Sequence, residues 1–240
     1  MVTVASPTPV DALFPEGFRK PSAFFVSGSN RTLLKWFAFA WLSPYGSRVF
    51  WTDVRLPGEI LDPLDPMAMH AVPEASVFVL EPRDLFPDEQ GAARAEAAAA
   101  TMLQSDEAPE SIRGLVEFLR MPSHGQRLIS ATGRSESPSI LVTTNSQRIA
   151  IAYAQDRLEP LMRAMLASGT CQVALWAEAP TTLTSIFDVT LVLEGVGPAD
   201  WRNATIRCER GISTGVLAGG RAVRLADIEP IATVLEKFIP

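Results

Sequence analysis

Three short stretches hold residue types that could do chemistry. In FFVSGSNRT (Phe24 to Thr32) a β-branched and aromatic run enters a turn of small residues, Ser27, Gly28, Ser29 and Asn30, and a helix follows at once. Glycines in such a turn let backbone N–H groups wrap a phosphate, a lysine neutralises its charge, and a Ser/Thr hydroxyl holds magnesium. Here there is one glycine, Gly28, and the cation is Arg31, whose planar fork does not replace a lysine in a tight cradle. Lys35 comes one turn further on, too late for that role. In FWTDVRLP (Phe50 to Pro57) Asp53 could act as a base and Arg55 could not, because a guanidinium accepts no proton at neutral pH. In SILVTTNSQ (Ser139 to Gln147) Asn145 has an aspartate's shape without the charge that attracts a hard divalent cation. Glu81, after ASVFVL, reads as a surface carboxylate.

Other chemistries find less support. There is no Gly-x-Ser-x-Gly elbow, and His70 and His124 show no metal-ligand spacing. Cys171 and Cys208 sit in strand-like apolar surroundings and read as buried thiols in a reducing compartment, with a disulfide between them left open. A net charge of −6 argues against bulk electrostatic binding to nucleic acid or an anionic membrane, though a local basic patch is compatible with it. The start of the chain lacks a basic segment leading into an apolar one, so no secretion signal is read. The longest apolar run, Trp36 to Leu42, falls far short of the roughly 18 residues of a membrane span. A cytoplasmic protein is the expectation.

The elements that must position these residues alternate along the chain. With 47% hydrophobic residues the chain can bury a sizeable core. Residues 1–20 are proline-rich and read as an irregular arm, followed by a single domain over 21–240. Strands are expected at Ser22 to Ser27, Arg48 to Val54, Ala75 to Leu80, Ile140 to Thr144, Gln172 to Trp176 and Phe187 to Leu193. Thr32 to Leu42 reads as a helix apolar nearly all round, and helices are also expected at 91–104, 111–120 and 155–167, with a polar loop at 122–139. Two short strands, Ala204 to Glu209 and Gly215 to Val223, then form a closing antiparallel meander. The fold class is α/β, a layered and mostly parallel sheet with flanking helices.

This order of elements, with the three stretches above, resembles the RecA/KaiC-like ATPase superfamily over about residues 20–225. Set beside the family's GxGKT, the sequence GSNRT places Asn30 at the glycine and Arg31 at the lysine, and keeps Thr32. Where the family has a water-orienting glutamate, Arg55 stands two residues after Asp53; a slip of two residues in that alignment leaves Asp53 as the base. Asn145-Ser146 fills the place of the family's magnesium-binding Asp-Ser. The resemblance implies a degenerate, non-hydrolysing member with no cofactor, ATP and magnesium being the alternative.

The family's C-terminal meander lies at a subunit boundary. Here it carries Arg202, Arg207, Arg210, Arg221 and Arg224 against one acid, Glu209. A solvated sheet edge, a subunit contact and a nucleic-acid backbone contact are the three readings of that stretch. The function the resemblance implies is an inactive subunit in the assembly or regulation of a larger complex, a ring or filament of itself or with protein partners. The alternatives are a nucleotide-binding or weakly hydrolysing ATPase using Arg31, Thr32 and Asp53, and an accessory factor in DNA repair or recombination.

Overall fold

The computed structural model of the protein describes residues 8–14, 22–55, 58–73, 77–80, 139–144, 170–177, 187–211 and 215–240. The helices expected at 91–104, 111–120 and 155–167, the loop before Ser139, Glu81 and Asn145 lie outside these residues.

Among the described residues one eight-stranded sheet organises the fold. Its strands are β1 (Ala23–Gly28), β2 (Val49–Val54), β3 (Val77–Leu80), β4 (Ser139–Thr144), β5 (Thr170–Trp176), β6 (Val189–Glu194), β7 (Thr205–Arg210) and β8 (Val223–Arg224), in the spatial order β3-β2-β4-β5-β1-β6-β7-β8. Pairing is parallel from β3 across to β6 and antiparallel for β6–β7 and β7–β8. Six expected strands and the first of the closing pair are therefore present, with ends moved by one or two residues. The eighth is a correction: a strand was expected over Gly215 to Val223, but Gly215–Gly220 forms short helical turns and only Val223–Arg224 pairs with β7. Gly219 and Gly220, both at φ 71°, hold the left-handed backbone that ends any extended run there.

β1 explains the layering. Its residues alternate between two apolar faces, as successive side chains of a strand must. Phe24 and Val26 face the main core, while Ala23 and Phe25 join Phe187 in a smaller cluster on the other face. The main core is built on α2 (Arg31–Leu42), in which Leu33, Leu34, Trp36, Phe37, Ala38, Ala40, Trp41 and Leu42 are all buried. A helix this apolar needs cover on more than one side. Besides the sheet, α1 (Pro9–Leu13) and α3 (Glu229–Phe238) flank it. Phe238 meets Phe39 at 5.3 Å and Trp36 at 5.9 Å between ring centroids.

α1 corrects the expectation of an irregular arm for residues 8–14. Five residues are too few to hold a helix alone. A Thr8–Asp11 capping box closes its start, and Val10, Leu13 and Phe14 are buried against the core, with Phe14 edge-on to Phe24 at 5.2 Å. Each such side chain is worth about 1.5–3 kcal/mol on burial. α3 was not anticipated at all. Its signal is Pro230 in the first turn with Ile231 and Leu235 four apart on one buried face. Among the described residues no helix is long and apolar enough to cross a membrane.

Candidate functional site

The turn between β1 and α2 is two residues long. Gly28 is still in the sheet, in register with Leu193, and Arg31 is already helical. A Cβ on Gly28 would stand 2.5 Å from the Leu193 carbonyl oxygen, so only glycine lets the strand run this far before turning. Both intervening side chains are engaged. Ser29 Oγ donates to the Gly195 carbonyl at 3.2 Å and Asn30 Nδ2 to the Val196 carbonyl at 3.0 Å. Asn30 Oδ1 accepts from Leu33 N–H at 2.9 Å and so caps α2. The residue that departs from a phosphate loop thus satisfies one of the amides such a loop would offer.

The first two turns of α2 then meet an acidic connection that follows β2. Arg31 Nη1 lies 2.7 Å from Glu59 Oε1, Thr32 Oγ1 donates to Asp62 Oδ2 at 3.1 Å, and Lys35 Nζ lies 2.7 Å from Asp65 Oδ2. Trp36 Nε1 donates to the Leu64 carbonyl at 2.5 Å. Positions 31, 32, 35 and 36 share one helical face, so a single segment can touch all four. Asp62 also folds that segment on itself, accepting from Leu64 N–H at 2.9 Å.

Asp53, at the end of β2, joins this cluster from the sheet side. It is fully buried. Its Oδ1 accepts from Thr144 Oγ1 of β4 and stands 3.4 Å from Lys35 Nζ, and its Oδ2 lies 2.6 Å from Arg55 Nε. Burial alone would raise the Asp53 carboxyl, but the Lys35 charge, the Thr144 hydroxyl and Arg55 together outweigh it and hold the group below the usual carboxylate value. Lys35 and Arg55 balance Asp53 and Asp65, so these four side chains carry no net charge, and Arg31, Glu59 and Asp62 add one excess negative charge toward solvent. A carboxylate stabilised in this way has little affinity for a proton and is a poor general base.

The sequence-predicted residues are thus partly brought together. Gly28, Ser29, Asn30, Arg31 and Thr32 form one continuous turn and helix start, and Asp53 with Arg55 reaches α2 through Lys35. Asn145 lies outside the described residues. Sequence reasoning set Lys35 aside and missed Glu59, Asp62, Asp65 and Thr144. The available signal was the acid spacing of 59, 62 and 65, which matches one side of a helical face.

The C-terminal arginines stand on the opposite flank of β6, along β7 and β8. Arg207 lies 2.7 Å from Glu209 and 3.7 Å from Glu194, and Arg224 lies 2.8 Å from Asp227. Arg202 stacks over Trp201 at 4.8 Å. Arg210 and Arg221 are exposed. The stretch is therefore less basic in the fold than in the sequence, because Glu194 and Asp227 enter from outside it.

Compared with protein-family models and with curated proteins, the sequence matches none. Among the described residues no three His, Cys, Asp or Glu side chains are grouped to hold a metal ion. Cys171 and Cys208 are both buried thiols, not joined by a disulfide.

Proposed function

We propose that the protein is a catalytically inactive, RecA/KaiC-like cytoplasmic subunit acting in the assembly or regulation of a larger complex. One observation carries this reading: Arg31 and Thr32, which stand at the phosphate loop's cation and hydroxyl positions, are both engaged by carboxylates of the same chain. A phosphate entering there meets Glu59 and Asp62 as competitors of its own sign. The two-residue turn adds to this, since a phosphate loop needs several free amides in succession. The mostly parallel sheet with antiparallel C-terminal strands is in keeping with the family's architecture. A partner surface along β7 and β8, with Arg207, Arg210, Arg221 and Arg224 as its candidates, belongs to the same proposal.

The test is a melting curve and a size-resolved mass, each with and without magnesium-ATP. A ligand that binds only the folded state raises the midpoint by mass action. The expected result is an unchanged midpoint and an oligomer or partner complex indifferent to nucleotide. A rise in midpoint overturns the reading in favour of an unconventional nucleotide-binding protein. Charge reversal at Arg221 and Arg224 tests the surface: an unchanged mass and partner capture removes it from the proposal.

A further inference from the structure

The contacts between α2 and the acidic connection are graded from exposed to sealed. At the outer end Arg31 and Glu59 keep 32% and 15% of their side-chain surface in solvent. At the inner end Lys35 and Asp65 keep 1% and 2%. Burial follows the same gradient. Between Gly58 and Leu64 no residue is buried and Ile60 is 90% exposed, whereas Asp65, Pro66 and Val72 are buried. The outer stretch also starts from a backbone corner, Gly58 at φ 76°, where an added Cβ would meet open space among the described residues. At its inner end the Asp62 carbonyl accepts from Asp65 N–H at 2.8 Å, which preserves the turn next to the anchor.

We propose that residues 58–64 form a strap that lifts from α2 as a unit, under the control of ionic strength, while residues 65–72 stay docked. A segment with no buried apolar side chain opens at lower cost than the core beneath it. Its outer fastenings include a part-exposed ion pair, which salt screens, and a hydroxyl–carboxylate hydrogen bond. The inner fastenings are a sealed ion pair at Asp65, which salt screens far less, and the Trp36 Nε1 hydrogen bond to the Leu64 carbonyl, at the peptide link to Asp65 where the strap hinges. Lifting uncovers Arg31 and Thr32 and leaves Lys35 covered. This device rests on the contacts alone and does not depend on the function proposed above.

Hydrogen–deuterium exchange on the full chain tests it, comparing wild type with R31Q/T32V at about 0.05 and about 0.5 M sodium chloride. Both substitutions lie on α2, so the strap keeps its own sequence and internal hydrogen bonds. Peptides spanning 58–64 are expected to exchange about two- to fivefold faster in the variant, and in wild type at the higher salt, with 65–72, β1 and β5 unchanged. Equal exchange of 58–64 under all four conditions overturns the proposal. So does an acceleration shared by 65–72 or by the central strands, which would mean that the segment opens only with the rest of the fold.

Discussion

Lys35 and Asp65 are 30 residues apart in the chain and 2.7 Å apart in the fold, both sealed from water. Asp53 completes the arrangement 3.4 Å from the same ammonium, so one buried cation sits between a helix, a strand end and a connection. Taking such charges out of water costs several kcal/mol for each ion, and their pairing recovers that cost only while every member is present.

Removing the cation alone is therefore the damaging change. Lys35→Met takes the cation from buried Asp65 and leaves buried Asp53 to Arg55 and Thr144, and is expected to lower stability by about 3–5 kcal/mol in urea denaturation. The double variant K35M/D65N, which removes one of those charges as well, is expected to recover part of the loss. Equal stability of the single and double variants would show that the two side chains do not act as a pair.

Acid should reach the same cluster through Asp53. Its folded value is lowered, so its contribution to stability is complete above the unfolded aspartate value of about 3.9 and is lost as pH falls through the lower folded value. Wild type should thus lose stability steeply below about pH 4, and Asp53→Asn, less stable at neutral pH, should show a shallower acid limb. Denaturation midpoints collected between about pH 3 and pH 7 check this; parallel limbs would assign the acid sensitivity to other carboxylates.

The cysteines should be inert in the native state. Burial, set against a hydrogen bond from Ser22 and reinforced by the Asp188 charge, pushes the Cys171 thiol up to about 11. Burial raises Cys208 too, against a hydrogen bond involving the Arg210 backbone. Neither is expected to react with a maleimide at pH 8 before denaturant is added, and both should react after it. Fast native labelling would contradict the burial of these positions.

The tight turn makes its own prediction. Gly28→Ala pushes a methyl group against the Leu193 carbonyl, and Gly195→Ala pushes one to 2.6 Å from Leu33 Cδ2 and 2.8 Å from Ala204 Cβ. Each is expected to cost about 1–3 kcal/mol in thermal or urea unfolding. A neutral G28A would mean that β1 and β6 can part at their ends, and that the turn is looser than its hydrogen bonds imply.

Much of the sheet was legible because buried parallel strands write themselves as short apolar runs: Phe24-Phe25-Val26, Val49 to Trp51 and Ile140 to Val142 need no partner to be recognised. The eighth strand was misjudged because Val216 and Leu217 look strand-like, while Gly219 and Gly220 impose a backbone that no strand can follow. The site was only half legible. Gly28 to Thr32 is contiguous, so its order could be read directly. Lys35 was judged by its place in a linear motif, yet its partners come from Asp53 and Asp65, and pairings across such distances leave no periodic trace. Glu59 and Asp62 were passed over for the same reason, although acids at 59, 62 and 65 are spaced to follow a helix face.

Among the described residues the sheet ends on β8, a strand of two residues, and this bears on how the molecule behaves in a crowded solution. Val223 and Arg224 offer a foreign strand almost no ladder to extend, and the longer strand behind them carries Arg207, Glu209 and Arg210 toward solvent. Brevity and charge at a sheet margin discourage a second chain from adding its own strand. A molecule this rich in apolar strands thereby has one edge that does not seed aggregation.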